Sequence, residues 1–130
     1  MIVGIGLDVV EMARMGKILE GRSGSRFVDK VLTLEERKAW EALPHRRALE
    51  YVSGRFAVKE AVVKALGCGI GATVGFQDME VTPDELGKPE CRLSPAAIDR
   101  LGWGDSDYRL HIAITHERTM AAATALIEKR

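Results

Sequence analysis

The chain has little cysteine, little proline and no net charge, and each shortage closes off a class of protein. Only Cys68 and Cys91 occur among its 130 residues, too few for the disulfide frameworks that hold small secreted domains together. No basic segment followed by an apolar one opens the sequence, so secretion is not indicated and a reducing cytoplasm is the expected compartment. With 4 prolines and no low-complexity block, there is no disordered linker to read. No apolar run approaches the ~20 residues that cross a bilayer, which points to a soluble protein without a membrane partner. Lys plus Arg and Asp plus Glu each total 19, so the overall field does not call for nucleic acid, and any basic recognition surface must be local.

What is present is 46% hydrophobic and 29% charged residues, globular composition in a length that suits one domain spanning residues 1–130. The run Ile2 to Leu7 reads as a strand covered on both faces. Met12, Met15, Ile18 and Leu19 recur at helical spacing up to Gly21, with Arg14 and Lys17 off that stripe, so a helix with a basic side is expected. The stretch GRSGSR reads as a flexible basic connector. Thr33 and Glu36 have capping-box spacing at the head of a further helix that Pro44 closes.

A longer helix is expected through to Gly67, with Ser53 and Gly54 as a possible break. The second half changes character. VGFQDMEVT and ECRLS read as a hairpin across the turn PDELGKP. Ser94 and Pro95 start a short helix that Gly102 follows. YRLHIAIT alternates as a strand. In the tail TMAAATALIEK the alanines favour a helix, whereas a place after a strand and a short turn favours a hairpin. Helices first and strands later imply an α+β domain.

Charge in apolar company marks the candidate site. Asp8 ends an apolar strand, where a carboxylate needs a partner, a metal, or a helix to cap. Glu60 and Lys64 are spaced i, i+4, as in a surface ion pair, yet Phe56, Ala57 and Val63 lie close to the same stripe. A strand-end Asp and a helix Glu together have the oxygen chemistry of a Mg²⁺ site, with Lys64 and Arg55 left to answer phosphate charge. Gly67, Gly69 and Gly71 either admit a phosphate near the backbone or simply end the helix. His116 leaves a strand where functional side chains often sit. Cys68 lacks the His or cation that would make it a thiolate nucleophile.

The segments IVGIGLDVVEMARM, GRFAVKEAVVKALGCGIG, LGKPECRL and HIAITHE resemble, in order and spacing, the holo-(acyl carrier protein) synthases of the 4'-phosphopantetheinyl transferase superfamily. That resemblance implies a homotrimer of long helices packed on an antiparallel sheet, with active sites between neighbouring subunits and the alanine-rich tail as a strand. It also implies Mg²⁺-dependent transfer of 4'-phosphopantetheine from coenzyme A to a serine of apo acyl carrier protein, in fatty acid biosynthesis. Carried over to this sequence, Asp8 and Glu60 bind the metal, and Lys64 contacts the phosphates. Arg55 and His116 hold the nucleotide end, and Gly67 and Gly69 join them in binding coenzyme A. Glu60 or a water on the metal takes the serine proton. Arg14, Arg22 and Arg26 dock the acidic carrier, in a salt-sensitive encounter. Lys59 has no assigned role. Cys68 and Thr115 depart from the family pattern. Two rival readings are a relative serving a different carrier domain and a silent coenzyme A-binding module, the latter having no use for both carboxylates.

Overall fold

A computed structural model describes residues 1–130. Its centre is helix α4 (His45–Leu66), 22 residues long. Val52, Val58, Val62 and Val63 on it are fully buried. β-Branching disfavours a helix by at most ~0.7 kcal/mol per residue, whereas burying a valine contributes ~1.5–3 kcal/mol, so packing decides this element. Ser53 and Gly54 do not break it. A β-carbon on Gly54 would come within 3.2 Å of Ile114 Cγ2, so the small residues there admit a crossing strand rather than a bend.

That strand belongs to an antiparallel sheet of three. Strands β1 (Ile2–Glu11), β4 (Tyr108–His116) and β5 (Met120–Lys129) run in the order β1-β5-β4. The tail is thus a strand, and the central one. Ala121, Ala123, Ala125 and Ile127 alternate as its buried row, and hydrogen bonding along both edges outweighs the helical preference of its alanines. The expectation that β1 is covered on both faces does not hold within one chain. Gly6 and Val10 are buried while Ile5, Leu7 and Val9 are 67%, 56% and 48% exposed.

The remaining elements wrap α4. Helix α1 (Met12–Glu20) follows β1 directly. The expected flexible connector is replaced after Ser23 by a second helix, α2 (Gly24–Val31), whose Val28 and Val31 are buried. A close approach conceals it in the sequence. A β-carbon on Gly24 would collide with the Leu19 carbonyl oxygen, so this glycine serves packing and not disorder. Helix α3 (Leu34–Glu41) carries the full capping box, with Glu36 N–H donating to Thr33 Oγ1 at 3.3 Å and Thr33 N–H to Glu36 Oε1 at 2.8 Å.

Beyond α4, Phe76–Asp78 form one 3₁₀ turn, so the strand expected across VGFQDMEVT begins only at Met79. Strands β2 (Met79–Pro83) and β3 (Pro89–Leu93) make a separate hairpin. Asp84 Oδ1 closes its turn by accepting the N–H groups of Leu86 and Lys88, both at 2.8 Å. Helix α5 (Pro95–Arg100) starts as expected, with Ser94 Oγ accepting from Ala97 N–H at 3.1 Å.

Candidate active site

Glycines bring the two carboxylates together. Gly4, Gly6, Asp8 and Val10 form the face of β1 turned toward α4, and β-carbons on Gly4 and Gly6 would collide with the carbonyl oxygens of Ala65 and Ala61. The strand therefore lies directly on the helix backbone. Two residues further along the same row, Asp8 meets the helix with a side chain, and Lys64 Nζ donates to Asp8 Oδ1 at 3.1 Å and to the Leu7 carbonyl at 3.0 Å. Asp8 caps no helix, because Glu11 is the N-cap residue of α1 and no side chain caps that helix.

Lys64 thus pairs with Asp8 across the fold, and the i, i+4 pair with Glu60 does not form. Glu60 makes no ion pair or side-chain hydrogen bond. Its carboxyl is pushed above the ordinary glutamate range, first by burial and then by the charge of Asp8, with Lys64 opposing. Two neighbouring carboxylates, one of them unpartnered, are a donor set that could hold an oxygen-seeking divalent cation together with substrate phosphates.

Asp8 and Glu60 line a cavity of about 380 Å³ with Arg14. Its other wall is apolar and includes Met15, Ile18, Phe27 and Phe56. Phe56 lies between Phe27, tilted at 38° with centroids 5.7 Å apart, and Phe76, stacked with centroids 5.8 Å apart. Arg22 and Arg26 are exposed beside this region, Arg26 on α2 rather than on a loose connector.

Arg55, although it precedes Phe56, lines a different cavity. This one measures about 440 Å³ and brings Arg55 and His116 together with Arg47, Glu50 and Tyr51. Gly87 and Pro89 of the hairpin turn close its far side. The Arg55 guanidinium lies 3.9 Å above the Tyr51 ring, and its buried Nε has no partner. Burial raises the Tyr51 phenol above its ordinary value, with Arg55 opposing, so the ring stays neutral beneath the cation. His116 Nδ1 is 3.8 Å from Glu50 Oε2. Sequence reasoning missed Arg47, Glu50 and Tyr51, though a signal was available, since Arg47, Tyr51 and Arg55 recur every fourth residue on one helix stripe.

Gly67 and Gly69 line neither cavity. Gly67, at φ 79°, ends α4 by donating to the Val63 and Lys64 carbonyls, and Gly69 has φ 67°; their positive φ suits glycine. The exposed Cys68 has its thiol raised by burial of the sulfur, which disfavours a thiolate nucleophile. Lys59, unassigned from sequence, is completely buried and paired with Glu36 at 2.6 Å. Burial depresses its pKa, and Glu36 opposes that shift.

Residues 4–123 match the family model described as the 4'-phosphopantetheinyl transferase superfamily. The chain is 41% identical over 129 residues to the holo-[acyl-carrier-protein] synthase of Anoxybacillus flavithermus, covering 99% of this chain and 98% of that one. Among solved structures, it is similar to a holo-(acyl-carrier-protein) synthase from Bacillus anthracis in complex with CoA (3',5'-ADP), with TM-score 0.83, 38% identity, and 100% and 99% of the two chains covered. The Neisseria meningitidis holo-[acyl-carrier-protein] synthase superposes with TM-score 0.88 at 32% identity, over 99% of this chain and all 100% of that one. No helix is long and apolar enough to cross a membrane. With a family match across nearly its whole length and relatives this similar on both counts, the chain belongs to the 4'-phosphopantetheinyl transferase superfamily.

Proposed function

We propose that this protein is a holo-(acyl carrier protein) synthase that transfers 4'-phosphopantetheine from coenzyme A to a serine of apo acyl carrier protein, releasing adenosine 3',5'-bisphosphate, for fatty acid biosynthesis in the cytoplasm. The observation that carries the proposal is the unpartnered Glu60 beside an Asp8 that Lys64 holds. A silent coenzyme A-binding module would gain nothing from keeping two carboxylates in mutual repulsion.

Asp8 and Glu60 would hold Mg²⁺, an ion that one or two carboxylates together with substrate phosphates suit. Bound there, it would draw charge from the pyrophosphate oxygens. Lys64 Nζ, about half exposed and already tethered to Asp8 and Leu7, is positioned to stabilise the negative charge that builds on the bridging oxygen as the serine oxygen bonds to the pantetheine-bearing phosphorus and the bond from that phosphorus to the bridging oxygen breaks. Glu60, or a water held by the metal, would accept the proton of the attacking serine hydroxyl. Arg55 and His116, joined by Arg47, would bind the 3'-phosphate and nucleotide end of coenzyme A. The turns at Gly67 and Gly69 would lie near the phosphates.

Arg14, Arg22 and Arg26 would meet the acidic recognition helix of the carrier, steering its approach at low salt. The working form would be a homotrimer, with the apolar outer row of β1 closed against a neighbouring chain. Apo acyl carrier protein incubated with this protein, coenzyme A and Mg²⁺ should gain one phosphopantetheine on its serine by mass spectrometry. An unmodified carrier would overturn the proposal.

A further inference from the structure

Lys59 is fully buried, and each of its three ammonium protons has an acceptor. Nζ donates to Glu36 Oε1 at 2.6 Å, to the Val31 carbonyl at 2.6 Å and to the Phe76 carbonyl at 3.2 Å. Glu36 in turn accepts Thr33 N–H at Oε1 and Val81 N–H at Oε2, both at 2.8 Å. One helix residue and one partner therefore gather the last turn of α2, the start of α3, the 3₁₀ turn and strand β2 at a single point.

Stability alone does not call for this arrangement. A buried ion pair can often be replaced by apolar side chains of similar volume at no loss of stability, because desolvation offsets the attraction. Apolar side chains fill space but cannot fix the carbonyls of Val31 and Phe76 and the N–H of Val81 in register with one another. Those three groups lead to both cavities. Helix α2 carries Phe27, whose ring packs at a tilt against Phe56 in the wall of the carboxylate cavity. Strand β2 runs into Pro83 and the turn with Gly87 and Pro89, which wall the arginine cavity.

We infer that Lys59 and Glu36 form a positioning junction that sets both substrate cavities against the catalytic helix, one residue before Glu60. The inference rests on the proposed transfer reaction for its kinetic readout. Neither residue lines either cavity, so both act through the elements they hold.

The test uses the full-length double variant Lys59→Met/Glu36→Gln, assayed at a temperature where circular dichroism shows it folded. KM for coenzyme A and KM for the carrier should both rise about tenfold while kcat/KM falls about a hundredfold, the scale expected when reacting groups are misplaced by ~1 Å. A folded variant with either KM at the wild-type value overturns the shared junction. The wild type runs in the same assay, so its failure to transfer would condemn the proposed function and not the junction. If the double variant does not fold, hydrogen exchange on the wild type decides independently of activity. The Val81 amide should exchange only through global unfolding, and exchange through a local opening overturns the inference.

Discussion

At the residue scale, Glu60 combines a cost in stability with a proposed role in the reaction. Its carboxyl lies above the ordinary range because burial and Asp8 disfavour the anion more than Lys64 favours it. A carboxylate whose folded pKa exceeds its unfolded one imposes no penalty while protonated in both states. It destabilises the fold as pH rises through the unfolded value and then the raised folded value. Glu60→Gln should therefore melt at a higher temperature than the wild type near pH 7, and the gap should close toward about pH 4, the ordinary glutamate range. A gap that stays constant with pH would remove the electrostatic explanation. The same variant should lose at least ~100-fold in kcat/KM, more than the 10–100-fold typical of changes behind a metal's ligands. Mg²⁺ should raise the melting temperature of the wild type and leave the variant unchanged.

At the scale of elements, the contact between β1 and α4 positions Asp8, and Gly6 controls how close it is. An added β-carbon would collide with the Ala61 carbonyl oxygen, and backbone cannot swing aside as a flexible side chain does. Gly6→Ala should cost about 3 kcal/mol in denaturant unfolding, the upper end of overpacking losses. Because the displaced strand carries Asp8 away from Lys64, transfer should fall further than the folded fraction does. Normal stability in this variant would mean that the strand can slide off the helix without cost. These contacts explain which parts of the fold were legible. Periodicity revealed α1, the capping box of α3, the extent of α4 and strand β4, because each depends on local spacing. It failed where a glycine serves a distant backbone. Gly24 looked like a loop residue and is a packing point for α2, and Gly54 looked like a break and accommodates Ile114. Local propensity alone favoured a helix for the alanine row of β5, because nothing local signals that both its edges are hydrogen-bonded, and only the family resemblance pointed to a strand. The site followed the same division. Asp8, Glu60 and Lys64 stood out as charges in apolar segments, whereas Glu36 gave no sign that it was the partner of Lys59, 23 residues away.

At the scale of the whole molecule, one chain holds two partial sites. The carboxylates and Lys64 belong to one side of α4 and the arginines to another cavity, and the two cavities share no lining residue. On the proposed function, coenzyme A would present its pyrophosphate to Asp8, Glu60 and Lys64 and its 3'-phosphate to Arg47, Arg55 and His116. The outer face of the sheet offers a way to bring them together. Cross-strand rows Ile5–Leu126–His111, Leu7–Thr124–Ala113 and Val9–Ala122–Thr115 form a mostly apolar face on which Ile5, Leu7 and Val9 stay exposed, a surface suited to a neighbouring copy. If three copies close on that face, the carboxylates of one chain can meet the arginines of the next. Glu60→Gln and Arg55→Ala, each nearly inactive alone, should then restore transfer when co-expressed. With random 1:1 mixing in a closed trimer, about a quarter of the interfaces pair an intact carboxylate set with an intact arginine set, so transfer should return to about that fraction of the wild-type rate. Mixed trimers that remain inactive, with their composition verified by native mass spectrometry, would place both halves of the site in the same chain and leave that sheet face without a role in catalysis.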